Sequence, residues 1–306
     1  VPIFPSSTFS FHANSRGLRG KGGEGSGLGI PAVLDAGLFC KEHREDERGI
    51  AGKIMPPFST EAIILGARDF QERDILLTLY GDERGKWRGI AKGAKASKKR
   101  FGANLDLLSR VRVHGSEKRG SSLSIVQGID LLEHFRMVRQ DLDFFARACY
   151  VAEWADGCLP ERQPIKGFME LLLWTARNLS NESQREEVLR LFELKSLVLS
   201  GYGPRLDRCV KCGKEVEEEG KIHVNVSSGG IVCKECSQEG LFKINPGTLK
   251  LLREAKDLTM EKAHRLRFSR LSLREAKDLL REFYGHHVGR RLRSVKFLET
   301  HSVAQA

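Results

Sequence analysis

From position 59 onward the hydrophobic pattern runs first with a strand period and then with a helical one. Glu61-Ala-Ile-Ile-Leu65 and Asp74 to Tyr80 are short runs rich in β-branched and large apolar residues. Gly81 to Gly85 reads as a hairpin loop leading into Lys86-Trp-Arg-Gly-Ile-Ala-Lys92. Leu107 to His114 and Leu123 to Ile129 supply two further strands. Alternate side chains of a strand share a face, so Lys86, Arg88 and Lys92 are expected to project together, opposite Trp87 and Ala91. The same reasoning puts Arg110, Arg112 and His114 opposite Val111 and Val113. Five short strands in about 75 residues predict a small barrel of OB type.

Beyond Met137 the period lengthens. Leu142, Phe145, Cys149 and Ala152 recur at helical spacing, as do Ile165, Phe168, Leu172, Ala176 and Leu179. Glu186 to Ser200 is apolar around most of its circumference, which predicts the buried centre of a bundle. It stops at Gly201-Tyr-Gly-Pro204. Pro246 to Asp257 and Ser272 to Val288 are expected to form later helices. Cys149 and Cys158 have no matching pair and read as packing thiols.

Residues 1–54 carry neither period. Seven glycines fall between Gly17 and Gly29, and Gly20, Gly22 and Gly25 fit a GxGxxG spacing with no strand before it. This segment is expected to be disordered: an upstream extension with Met55 as the working start, or else a targeting segment. The predicted organisation is therefore α+β and multidomain: an extension (1–54), an OB barrel (55–135), a helical domain (136–206 and 241–306) and a cysteine module (207–240).

Charge sharpens this picture. The 306 residues contain 51 Lys+Arg against 40 Asp+Glu, a formal net charge of +11. The excess is concentrated: Arg84 to Arg119 holds twelve basic and two acidic residues, and Arg265 to Lys296 holds ten against three. Concentrated positive charge suits a polyanion, because each neutralised phosphate releases condensed counterions. Lys86, Arg88, Lys92, Lys95, Lys98, Lys99, Arg100, Arg110 and Arg112 are the expected contacts to a nucleic-acid backbone, with Phe101 a candidate platform for stacking bases. No P-loop, HExxH or GxSxG motif points to an enzyme, and no apolar run is long enough to span a membrane.

Cys209-Val-Lys-Cys212 and Cys233-Lys-Glu-Cys236 are separated by twenty residues. Two such knuckles predict a four-cysteine Zn²⁺ site, structural because four thiolates leave no open position.

Three pieces in order, Arg88-Gly-Ile-Ala-Lys-Gly-Ala-Lys95, then Phe192-Glu-Leu through Leu199-Ser-Gly-Tyr-Gly-Pro204, then Cys209-x-x-Cys212, resemble the bacterial recombination mediator family RecO. The resemblance covers about residues 58–296. It implies an N-terminal OB domain, a helical domain and a zinc module. It further implies binding of single- and double-stranded DNA, annealing of complementary strands, and partnership with RecR. Engagement of the acidic C-terminal tail of single-stranded-DNA-binding protein (SSB), with indirect help to RecA loading, is implied too, as is a cytoplasmic, nucleoid-associated location. By position, Arg190 matches a basic site suited to the SSB tail. An RNA-binding partner of ribosome or tRNA is the alternative reading, and a metal-dependent nuclease a third.

Overall fold

The computed structural model describes residues 57–101, 105–117, 120–263 and 265–301. The expectation for residues 1–54 lies outside them. Strands β1 (Phe58–Phe70), β2 (Asp74–Gly81), β3 (Gly85–Ala91), β4 (Arg110–Glu117) and β5 (Leu123–Glu133) close into a barrel in the order β1-β2-β3-β5-β4. All neighbours are antiparallel except β3 and β5, which pair in parallel. Closure leaves no free sheet edge. The two-residue alternation does what the sequence predicts: Ala62, Ile64, Leu77, Leu79, Trp87, Ala91, Val111, Val113 and Val126 fill the interior. A single helical turn, α1 (Lys98–Phe101), follows β3 and packs against β5.

The outer wall of the barrel is only partly a free surface. Ile63, Leu65, Tyr80 and Leu108 belong to the core of the helical unit. The Tyr80 hydroxyl donates to the Ile165 carbonyl (2.9 Å) and accepts from the Ile165 amide (3.0 Å). Its burial pushes the phenol pKa up to about 12. Gly85, at φ +67°, lies so close to the chain at Gln163 that a Cβ would sit 2.4 Å from its backbone, so only glycine allows this approach.

The helical unit begins with α2 (Met137–Gln140) and α3 (Leu142–Cys158), the latter capped by Asp141 accepting from the Phe144 amide (3.1 Å). α4 (Phe168–Asn178) and α5 (Arg185–Leu199) follow. A three-stranded sheet of β6 (Ile222–Asn225), β7 (Gly230–Val232) and β8 (Phe242–Ile244), with β6 central, lies in and beside the cysteine segment, where the hydrophobic pattern predicts no strand. The described residues continue with α6 (Pro246–Asp257), α7 (Met260–Ala263), α8 (Arg270–Phe283), a π-helical turn at Tyr284–Val288, and α9 (Ser294–His301). α5 is the hub, packed by α3, α4, α6 and α8, as its all-round apolar pattern requires.

One buried carboxylate ties this unit together. Glu275 of α8 accepts from the Asn245 amide (2.9 Å), Asn245 Nδ2 (2.5 Å) and Thr248 Oγ1 (2.5 Å) at the start of α6. Lys221, beside β6, lies 3.4 Å away. Burial pushes its pKa up, but the Asn245 and Thr248 bonds and Lys221 outweigh it and hold the carboxyl below its ordinary value. A depressed folded-state pKa contributes stability that is present above the unfolded value of about 4.3 and is lost as pH falls through the folded one. Glu275→Gln is therefore expected to cost about 2 kcal/mol at pH 7. The deficit should shrink below about pH 4 in urea titrations run across pH; a pH-independent difference would contradict this.

Candidate nucleic-acid interface and metal centre

The barrel sorts its cations by what faces them. Arg88 and Lys92 emerge exposed from β3, with Arg88 3.6 Å from Glu161 and Lys92 without a carboxylate partner among the described residues. The segment after β3 is fastened to the β1–β2 hairpin. The Gly93 amide donates to Asp74 (2.8 Å), the Lys95 amide to the Arg73 carbonyl (3.2 Å), and Lys95 Nζ lies 3.2 Å from Asp69. Arg100 is exposed and donates to Ser97 Oγ and the Lys92 carbonyl (3.2 Å each), so it is positioned without being neutralised. Lys98 and Lys99 lie in α1, but their side chains are outside the described residues.

Arg110 and Arg112 both point outward from β4, as the alternation predicts, and both meet Glu61 of β1, at 2.5 and 3.0 Å. Arg112 and Glu61 are direct cross-strand partners. Hydrogen bonds from Arg110, then Arg112, hold the Glu61 carboxyl below its usual pKa. Both arginines are thus already engaged with an acid that any phosphate would have to displace.

Two expected contacts are corrected by burial. Lys86 is 2 % exposed: its Nζ donates to the Asp156 carbonyl (2.5 Å) and lies 3.1 Å from the Asp156 carboxylate and 3.7 Å from Glu161. It faces away from the barrel interior, as its strand position demands, but the helical unit covers that side. Phe101 is 0 % exposed and sits in the barrel core, with the Arg100 guanidinium 5.3 Å from its ring centre. It cannot offer a face to a base, because α1 turns it inward.

The four cysteines predicted as ligands come together. Sγ atoms of Cys209, Cys212, Cys233 and Cys236 all lie within 4.8 Å of one another. The first knuckle is turned by the Gly213 amide donating to the Cys209 carbonyl (2.9 Å), the second by the Cys236 amide donating to Cys233 (3.2 Å). Metal–sulfur bonds of about 2.3 Å in a tetrahedron require sulfurs about 3.8 Å apart. The Cys212–Cys233 separation of 3.6 Å is close to that, so the donor set and spacing fit a metal ion. The local core is thin, with Cys209, Val232 and Cys233 its buried members.

Comparison with known proteins gives the same assignment over both parts. Residues 55–135 match the family model "Recombination protein O N terminal" and residues 139–296 match "Recombination protein O C terminal". A DNA repair protein RecO from Symbiobacterium thermophilum is 34% identical over 251 residues, covering 80% of this chain and 98% of the relative. One from Desulfatibacillum aliphaticivorans is 33% identical over 257 residues, with 80% and 97% covered. One from an Anaeromyxobacter species is 35% identical over 240 residues, with 78% and 94% covered. The chain belongs to the RecO family.

In this RecO-family chain the residue matched by position to an SSB-tail contact is not at the surface. Arg190 of α5 is 1 % exposed and pairs with Glu193 (2.8 Å), itself fully buried and accepting from the Tyr150 hydroxyl (2.5 Å). Burial pushes the Glu193 pKa up against the pull of Arg190. The motif fixed the position of Arg190 but not its depth, which follows from the packing of four helices around α5. Cys149 and Cys158 are buried, and their thiol pKa values are pushed up to about 12 by desolvation, in keeping with packing roles.

No sequence pattern singles out Glu61, Asp156 and Glu161, the acids that engage Arg110, Arg112, Lys86 and Arg88, because they lie far along the chain from some of their partners. Among the described residues no helix is long and apolar enough to cross a membrane.

With so little apolar core around the cysteines, a bound metal is expected to hold the module together. Protein prepared under reducing conditions should carry one metal ion per chain by elemental analysis. Cys209→Ser should lose it and expose the module to limited proteolysis while the barrel stays intact. A metal-free protein with an unchanged digestion pattern would contradict this.

Proposed function

We propose that this chain is a DNA repair and recombination mediator that grips DNA through phosphates and anneals complementary strands, using the outer face of β3 and the segment that follows it. The observation that carries this reading is the position of Lys92 and Arg100. They are exposed, have no acid partner among the described residues, and sit on a segment fastened to the hairpin in a RecO-family barrel. Arg88 extends the row, with only a loose 3.6 Å pairing to Glu161. Because Phe101 is inside the barrel, the grip is electrostatic rather than by stacking. A phosphate-directed grip neutralises the mutual repulsion of two strands and leaves their bases free to pair.

Single- and double-stranded DNA are both accepted on this reading, and no nucleotide hydrolysis or catalytic group is required. Partnership with RecR, and with SSB through its acidic tail, to promote RecA loading in the cytoplasm is the extension that family membership supports. Arg190 is not the surface that would receive that tail. The metal in the four-thiolate site is Zn²⁺ on this reading, since an all-thiolate tetrahedral set suits it, and its role is structural.

The test is annealing of complementary DNA strands coated with SSB of the same organism. Intact protein should anneal them, and Lys92→Ala/Arg100→Ala should slow annealing at least tenfold with the fold unchanged by circular dichroism. Binding without annealing by the intact protein, or full activity of the double variant, would overturn the reading.

A further inference from the structure

The second basic tract differs from the first in one respect: most of its charge near the chain's end is unspent. On the barrel, Arg88, Lys95, Arg110 and Arg112 each have a carboxylate within 4.0 Å, and Arg84 pairs with Glu117. Between Gly289 and Lys296 there are four basic residues and no acid. Arg290 is paired with Asp156 (3.1 Å), but Arg291, Arg293 and Lys296 are exposed and have no carboxylate partner among the described residues.

These three cations are also held in place. Glu153 of α3 accepts from the Arg293 amide (3.0 Å), the Ser294 amide (2.8 Å) and Ser294 Oγ (2.5 Å), fixing the start of α9. Phe297 packs edge-on against Phe145, with ring centres 6.0 Å apart. Arg290, Arg291 and Lys296 line a groove of about 520 Å³ between the end of α8 and α9. The one acid in its wall, Glu299, is paired with Arg281 (2.7 Å). Charges displayed from an ordered base lose less entropy on contact with a ligand than charges on a free tail.

The tract is connected to the barrel. Arg88 of β3 faces Glu161, Glu161 faces Lys86, Lys86 faces Asp156, and Asp156 faces Arg290. This chain of ion pairs runs without interruption from the exposed face of β3 to Arg290, next to the three unpaired cations.

We propose that Arg291, Arg293 and Lys296 form a second contact surface for the phosphodiester backbone of the same DNA strand that the barrel holds. The inference rests on the mediator reading, since it presumes a strand on β3. A strand then passes from Lys92 and Arg88 across the seam beside Asp156 to the groove along α9. Phosphate backbone is the occupant the chemistry favours: the cations are spaced along the chain, exposed and unneutralised, and backbone contact asks for point charges rather than an apolar pocket.

Fluorescence anisotropy with oligothymidylates of increasing length, repeated over a salt series, tests this. For the intact protein, affinity should go on rising once the oligonucleotide is long enough to leave the barrel. Arg291→Ala/Arg293→Ala/Lys296→Ala should remove that later rise and lower the slope of log K against log salt by about 2, at about 0.7 per lost phosphate contact. The Arg291→Lys/Arg293→Lys variant keeps the charges and should keep both the slope and the length dependence, which separates lost charge from lost structure. An unchanged slope and length dependence in the triple alanine variant would overturn the proposal and leave the tract to an acidic protein segment. If the intact protein bound no oligonucleotide, or Lys92→Ala/Arg100→Ala left short-strand binding untouched, the mediator reading itself would fail instead.

Discussion

The arrangement depends on a lysine that never reaches solvent. Lys86 projects from the outside of a closed barrel, where a cation would ordinarily be hydrated, yet it is buried against the end of α3. Removing an ammonium from water costs several kcal/mol unless compensating groups surround it. Here the Asp156 carbonyl and carboxylate, with Glu161 behind them, supply those groups. Beside it, Tyr80 exchanges two hydrogen bonds with Ile165, and Gly85 lets the backbones touch. The polar groups of this seam are satisfied only when barrel and helical unit are in register.

That constraint decides which charges remain for function. Once the helical unit covers one wall of the barrel, Lys86 is committed to structure and Arg84 and Arg162 are committed to Glu117. On the opposite flank Glu61 engages Arg110 and Arg112. Among the described residues, the exposed cations without a carboxylate partner include Lys92 and Arg100 beside β3 and Arg291, Arg293 and Lys296 at the start of α9. A net count of positive charge therefore overstates the barrel's capacity for phosphates and understates that of the chain's last helices.

The sequence showed the barrel because two-residue alternation is read directly from neighbours: Trp87 and Ala91 inside, Arg88 and Lys92 outside. It showed the cysteine site because both knuckles are local. It placed α5 at the centre from its apolar circumference alone. Burial of an outward-facing residue is different, since it depends on a neighbour far along the chain: Lys86 and Asp156 are 70 residues apart. Phe101 stands beside three basic residues and looks like a platform, but one helical turn is enough to aim it into the barrel. Arg190 failed for the same reason, as depth within a bundle is not a property of one helix. The strands β6 to β8, of three or four residues each, are too short to show a period.

Whether the cations divide into a structural set and a phosphate-facing set is decided by paired measurements on two variants. Urea stability and single-strand affinity would be recorded for Lys86→Met and for Lys92→Ala/Arg100→Ala. Lys86→Met is expected to lose about 3 kcal/mol of stability, because Asp156 loses a buried partner. Under conditions where it is folded, its DNA affinity should be close to that of the intact protein. The double variant should show the reverse, with unchanged stability and weakened binding. A Lys86→Met protein of full stability that has lost DNA binding would contradict this division of the cations.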